Sequence, residues 1–155
     1  MSNEVKQLFG SPTALTITVA SLASSTAGVG RQSTLVDNSS TRYGRLLVFV
    51  KLKQGTSPTG NRGASVYLLR GDGTNRDDGA GTSDAALTVL NAQLVGQLVN
   101  KPSPATGDVL QGWFVIDEPG KEFGLAIVHD TGVALDSTGG NHLLQFIGVN
   151  PEVQS

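Results

Sequence analysis

The residues of this sequence that could perform acid–base or nucleophilic chemistry are two histidines and a few carboxylates. Asp130 follows His129 directly, but neighbouring side chains on a strand point to opposite faces, so the two would not pair in a hydrolytic triad. No G-x-S-x-G turn supplies a nucleophile. His142 stands where a loop meets a strand, and Asp117 and Glu118 are adjacent at a turn, where carboxylates are normally solvated rather than paired for glycoside hydrolysis. We therefore assign no catalytic residue and expect a protein that is not an enzyme.

A second group of carboxylates lies in the glycine-rich loop Gly71–Asp84. A calcium loop of the EF-hand type places acids or asparagine at positions 1, 3 and 5 and glycine at position 6. Counted from Asp72, these later positions hold Thr74, Arg76 and Asp77, so the pattern fails. The glycines of the loop match no phosphate-binding motif either. We predict no metal site and no cofactor, and leave open an incidental surface ion at this loop.

Composition narrows the class of protein before any element is placed. The chain has 155 residues, enough for one domain, and no cysteine, which excludes disulfides, thiolate catalysis and cysteine-based metal sites. Its net charge of −2 argues against a nucleic-acid-binding protein. No signal peptide and no apolar run of about 18 residues is visible, so we expect a soluble product, made in a cytosol, with no membrane contact.

Gly, Ser and Thr make up 48 of the 155 residues, a composition that favours strands and turns over helices. Apolar and polar residues alternate along several segments separated by turn residues, among them Arg45–Gln54 and Val109–Asp117. Pro119–Gly120 is typical of a tight hairpin turn, and Asp84–Leu98 stays ambiguous between helix and strand. We predict one all-β domain, an antiparallel, jelly-roll-like β-sandwich of about eight strands over residues 13–155, preceded by an N-terminal arm over residues 1–12.

The alternation also predicts which side chains form the core. Apolar residues on the continuous face of each predicted strand should be buried between the two sheets. These residues are Leu15, Ile17, Val19, Leu46, Val48, Val50, Val66, Leu68, Phe114, Ile116, Leu125, Ile127, Leu144 and Phe146.

Two sets of residues could contact a partner. The arm carries Val5, Leu8 and Phe9, which would be costly to leave in water and are expected to pack on a neighbouring copy or another protein. Lys51 and Lys53 share a strand face and Arg62 follows in the next loop, so the three could form a small basic patch that docks on an acidic protein surface. Equally, charged strand ends could serve only to prevent edge-to-edge aggregation, and the arm could fold back on its own domain.

The last part of the chain, residues 123–151 (FGLAIVHDTGVALDSTGGNHLLQFIGVNP), together with Trp113–Asp117, resembles small virion proteins of tailed bacteriophages, most of all head decoration (cement) proteins. The resemblance implies a small β-sandwich, commonly a homotrimer, that binds the major capsid protein or another virion protein on the outer surface of the phage head. It implies synthesis in the host cytoplasm and residence in the virion, and it carries over no catalytic residue.

Two other classes of protein share this composition. One is a baseplate, tail or fibre-attachment component of a virion. The other is a carbohydrate-binding β-sandwich module, which would need a row of exposed aromatic rings drawn from Tyr43, Tyr67 and Trp113.

Overall fold

A computed structural model describes the backbone of residues 4–154 and the side chains of residues 5–152. Over that range the only helix is a single 3-10 turn at Gly139–Asn141, and the regular structure is otherwise all strand, as predicted. The eleven strands of the described chain are β1 (Glu4–Phe9), β2 (Thr13–Ala14), β3 (Val29–Gln32), β4 (Val36–Asp37), β5 (Arg45–Lys53), β6 (Gly63–Gly71), β7 (Ala85–Thr88), β8 (Gln93–Val99), β9 (Val109–Asp117), β10 (Glu122–His129) and β11 (Leu143–Gln154).

The strands form two antiparallel sheets packed face to face, which confirms the β-sandwich. Sheet A has the order β1-β11-β5-β9, with β2 also paired to β11. Sheet B has the order β7-β3-β10-β6-β8, with β4 also paired to β10. The described chain has more strands than the expected eight, and four of them, β2, β3, β4 and β7, are only two to four residues long.

The turn at Pro119–Gly120 is a correction to the sequence analysis, because it is not a hairpin. Strand β9 before it belongs to sheet A, and β10 after it belongs to sheet B. Positive φ angles at Glu118 (52°) and Gly120 (93°) reverse the chain sharply, as the sequence indicates. A sharp reversal can return a strand beside its predecessor or carry it to the facing sheet, and local sequence does not distinguish the two.

The core lies between the sheets and contains the predicted side chains together with six that were not predicted, Leu52, Ala64, Leu98, Leu110, Phe123 and Leu135. Twelve of the fourteen are buried, while Ile17 and Phe114 are half-buried against them. The rings of Phe123 and Phe146 meet edge to face across the two sheets, with centroids 5.1 Å apart. The alternation therefore identified the interior correctly.

The ambiguous segment Asp84–Leu98 forms strands β7 and β8 rather than a helix. One carboxylate stabilises the turn between them: Oδ2 of Asp78 accepts hydrogen bonds from the N–H groups of Leu90, Asn91 and Ala92 at 2.6, 2.9 and 3.2 Å. In β8, Gly96 lies against the ring of Phe114. The leucines of this segment are three or four residues apart, a spacing that is compatible with a helix, but these tertiary contacts favour the two strands.

Candidate docking surface

The outer face of sheet B is partly covered by a loop of its own chain. Gln32 on β3 is fully buried, and its Oε1 accepts a hydrogen bond from Ala80 N–H at 2.6 Å. Its Nε2 donates to the carbonyls of Gly81 and Ser83 at 2.9 and 2.8 Å. Gln32 therefore holds residues 80–83 over the sheet. Beneath this cover a second, smaller apolar cluster forms around Leu69, Leu87 and Ala126.

The outer face of sheet A carries no comparable cover in the described part of the chain. Residues directly opposite each other on antiparallel strands share a face, so Ile147, Leu47 and Val115 form one row, and Phe49 and Trp113 lie in the next. Trp113 and Val115 are each 57% exposed, and the other three are half-buried. The rings of Phe49 and Trp113 are in contact, with centroids 5.1 Å apart and planes inclined by 46°. We call these five residues the outer patch.

Polar residues border the outer patch at both ends of the strands. At one end Arg45 and Asp117 form an exposed ion pair, with Nε and Oδ1 2.6 Å apart. At the other end Lys51 lies opposite Gln111 on β9 and Leu143 on β11. An apolar centre with a polar margin is the usual anatomy of a protein–protein interface.

The two ends of the chain form a ribbon that extends sheet A beyond the sandwich. Strand β1 pairs with residues 149–154 of β11, whereas β5 pairs with β11 only as far as Val149. The projecting part is therefore two strands wide and roughly 17 Å long, at about 3.3 Å per residue. We call residues 4–9 and 149–154 the terminal ribbon. Asn150 anchors its base, since its Oδ1 accepts from Gly44 N–H at 3.1 Å and its Nδ2 donates to the Thr41 carbonyl at 2.9 Å.

The predicted arm residues lie in this ribbon. Residues 4–9 pair with their own chain as a strand, although the sequence shows no alternation there, and residues 1–3 lie outside the described range. Pairing leaves the side chains in water: Val5, Leu8 and Phe9 are 69%, 54% and 56% exposed. Phe9 is opposite Val149, which is buried, and by this register Phe9 is on the same side of sheet A as the outer patch.

The three basic residues predicted to form a patch differ in their ionic partners. The Nζ atom of Lys53 lies 3.2 Å from Asp136 Oδ2, and Nη1 of Arg62 lies 2.9 Å from Asp130 Oδ2. Hydrogen bonds from Asn141, Thr138 N–H and Lys53 hold the pKa of Asp136 well below its usual range. Of the three, Lys51 borders the outer patch, whereas the charges of Lys53 and Arg62 are matched by carboxylates of their own chain.

The histidines hold loops in place. His129 is buried, with Nε2 2.9 Å from the Leu22 carbonyl and Nδ1 3.0 Å from the Thr131 hydroxyl, and burial lowers its pKa. Its neighbour Asp130 accepts hydrogen bonds from Arg62 and from Gly63 N–H instead of pairing with the imidazole. The Nδ1 atom of His142 accepts from Lys53 N–H at 3.3 Å, and its Nε2 donates to the Asp136 carbonyl at 2.9 Å. Both imidazoles are thus bonded to loop groups.

The carboxylates of the glycine-rich loop are likewise used locally. Asp72 accepts from the N–H groups of Thr74 and Asn75 and from the Asn75 side chain, and these bonds, that from the Asn75 side chain foremost, lower its pKa to about 2. Asp84 pairs with Arg31 at 2.5 Å. Within the described residues no three His, Asp or Glu side chains converge as a metal site would require.

The aromatic residues named for a carbohydrate-binding face are dispersed. Tyr43 packs edge-on against Phe146 in the core at a centroid distance of 6.2 Å, Tyr67 contacts the small cluster on the outside of sheet B, and Trp113 lies on sheet A. These three rings therefore form no common row.

Sequence reasoning missed the outer patch, although its signal was present. Leu47 and Phe49 are apolar on the face of β5 opposite to the core residues, and Trp113 and Val115 repeat this on β9. Strands that are apolar on both faces indicate either a covered sheet or a docking face.

Among the residues that the structure describes, none belongs to a helix with the length and apolar character needed to span a membrane. Comparison with protein-family models and with curated proteins gives no match to this chain.

Proposed function

We propose that this protein is a non-enzymatic structural protein of a phage virion, a decoration or cement protein that attaches to the outer surface of the head. The observation that carries the proposal is the contrast between the two sheets: one outer face is partly covered by its own loop, and the other presents the outer patch. Contiguous exposed apolar surface on a soluble protein marks an interaction site.

The size of this face suits a protein partner. Three strands, β11, β5 and β9, run side by side at about 4.8 Å, and about nine residues at about 3.3 Å each give a face of roughly 14 Å by 30 Å. The terminal ribbon lengthens it further. The result approaches the roughly 800 Å² per partner that a specific protein–protein interface buries.

The occupant that we propose for this face is a protein surface of the capsid shell. The outer patch is apolar at its centre, and the ion pair at its border is internal to the chain. Such a face suits an apolar protein surface as its partner. A charged polymer such as a nucleic acid would instead require a row of uncompensated charges on the protein. The resemblance of residues 113–117 and 123–151 to head decoration proteins selects the shell among protein partners. In a homo-oligomer, with the trimer as the proposed form, three copies would reinforce one another through effective concentration.

The test uses Trp113, which is the only tryptophan in the chain. Purified protein is mixed with empty heads that lack it, and attachment is measured by co-sedimentation. For the wild type, attachment should shift the Trp113 emission to shorter wavelength, because the indole leaves water. Trp113→Ser should lower the attachment constant by at least about tenfold, which corresponds to about 1.4 kcal/mol.

The matched control is Leu90→Ser, which removes an even more exposed apolar side chain outside sheet A. It should attach like the wild type. Equal attachment of the Trp113→Ser variant, or wild-type protein that never sediments with heads, would overturn the proposal. Electron microscopy of decorated heads then distinguishes attachment to the shell from attachment at the tail.

A further inference from the structure

The outer face of sheet B, opposite the outer patch, contains a groove of about 560 Å³. It lies where β6, β8 and β10 run side by side, beside the segment 25–28 and beyond the reach of the loop that Gln32 holds. Its volume falls within the roughly 300–1,000 Å³ typical of small-molecule sites.

Small residues form the floor of the groove. Gly28, Gly63 and Ser65 line it, and Ser65 is opposite Val128 on β10 and Gln97 on β8. A Cβ atom at Gly63 would overlap the carbonyl oxygen of Leu98, so no other residue fits there without a shift of the backbone. Gly63 therefore permits the close approach of β6 to β8 beside the groove.

The walls combine one aromatic ring with planar polar groups. Along β6, Tyr67 follows two residues after Ser65, and Gln97 donates from Nε2 to the Ser65 hydroxyl at 3.1 Å. At the opposite end Arg62 and Asp130 are paired, and Asp130 Oδ1 accepts from Gly63 N–H at 3.0 Å. Because this guanidinium and carboxylate neutralise each other, they add no net charge to the groove.

We infer that the groove binds a neutral saccharide. Each sugar hydroxyl both donates and accepts hydrogen bonds, and the amide of Gln97, the hydroxyl of Ser65 and the Arg62–Asp130 pair offer both functions within one site. The half-buried ring of Tyr67 provides an apolar surface for the C–H groups of a pyranose. An anionic ligand such as phosphate would need an uncompensated cation, and the cation at this site is already paired.

This inference concerns a site on the sheet opposite the docking surface and does not depend on the proposed function. If both hold, a protein docked through sheet A presents the groove to the surrounding solution. The binding itself is measured on the free protein, so failure of one proposal leaves the other unaffected.

The experiment is a titration of ¹⁵N-labelled full-length protein, followed by amide chemical shifts. The probes are lactose, maltose, cellobiose and N,N′-diacetylchitobiose, each to roughly 10 mM, the range of weak, millimolar binding. Inorganic phosphate serves as the anionic probe. At least one sugar should shift the amides of Gly63, Ser65 and Gln97 saturably, and phosphate should not.

Two variants test the assignment to the groove. Tyr67→Ala should weaken sugar binding about tenfold, which is about 1.4 kcal/mol. Gln97→Ala changes an exposed side chain, so the protein should stay folded while sugar binding weakens. This variant keeps the test valid if Tyr67→Ala does not fold. The matched control Trp113→Ser, on the other sheet, should bind the sugar like the wild type. No shifts at these amides with any of the four sugars, tighter binding of phosphate, or unaltered binding by Gln97→Ala and Tyr67→Ala would overturn the inference.

Discussion

The side-chain amides of Gln54 and Asn100 bond to each other twice inside the protein. Nε2 of Gln54 donates to Oδ1 of Asn100, and Nδ2 of Asn100 donates to Oε1 of Gln54, both at 2.6 Å. Both residues are buried. Gln54 directly follows β5 of sheet A and Asn100 directly follows β8 of sheet B, so the pair joins the two sheets at one end of the sandwich. Asn100 also donates to the Thr59 carbonyl at 3.1 Å, which ties the intervening loop to the same point.

Replacing one amide side chain of this pair should destabilise the fold more than the small change in side-chain size suggests. Gln54→Leu leaves the Asn100 amide buried with lost partners, at a cost of about 1–3 kcal/mol, and Asn100→Leu does the same in reverse. The double variant should lose less than the sum of the two, because no orphaned amide remains. Urea unfolding of the three variants measures this, and strictly additive losses would show that the amides do not act as a pair.

Two valines on neighbouring strands should respond oppositely to a charge. Val48 on β5 is fully buried and Val115 on β9 is 57% exposed. Val48→Asp buries an unpaired carboxylate, at a cost of several kcal/mol, and should unfold the domain. Val115→Asp should keep the fold but abolish attachment to heads. Circular dichroism together with co-sedimentation checks both, and a folded Val48→Asp protein would contradict the assigned core.

The cover over sheet B should depend on one glutamine. Gln32→Ala removes three hydrogen bonds to residues 80–83, each worth about 1 kcal/mol, and should make that loop susceptible to limited proteolysis. Gln111→Ala, an exposed glutamine on sheet A, is the matched control and should leave proteolysis unchanged. Equal cleavage rates in the two variants would mean that Gln32 does not hold the loop.

Stability should fall in mild acid because of His129. Burial lowers the pKa of His129 below its ordinary value of 6.5, so the unfolded chain takes up the proton first. The free energy of unfolding should therefore decrease as pH falls below about 6.5, until the pKa of the folded state is reached. His129→Gln should be less stable at pH 7.5, but its free energy of unfolding should change less between roughly pH 5 and 6.5. Most carboxylates titrate below this pH range, so they contribute little to the difference. An identical slope in both proteins, measured by denaturant unfolding at each pH, would assign the loss of stability to other groups.

The terminal ribbon should contribute to assembly rather than to folding. Deleting residues 1–10 removes β1, whose described side chains are exposed, so the sandwich should remain folded while attachment to heads weakens. Val5→Ser together with Phe9→Ser tests the same surface while retaining the strand. Light scattering and co-sedimentation report oligomer size and attachment. Unchanged values in both variants would leave the ribbon as no more than an edge strand, and a full-length monomer would remove the trimer from the proposal.

How much could be predicted from the sequence depended on whether the signal was local. Alternation in Arg45–Gln54 and Val109–Asp117 is a property of neighbouring residues, because successive side chains on a strand point to opposite faces. Such alternation therefore predicted the long strands, the all-β class and twelve buried core residues without reference to the fold.

Only the tertiary structure decided which surfaces are covered. The apolar outer sides of β5 and β10 look alike in sequence, yet Phe49 is left on an open face, whereas Ala126 of β10 lies in the small cluster outside sheet B. The same holds for Pro119–Gly120, which carries the chain to the other sheet, for residues 4–9, which pair with β11 nearly 150 residues later, and for Gly63, which lies too close to the backbone of β8 to carry a side chain. Each of these outcomes is set by contacts between segments far apart in the chain, and such contacts leave no periodic trace in either segment alone.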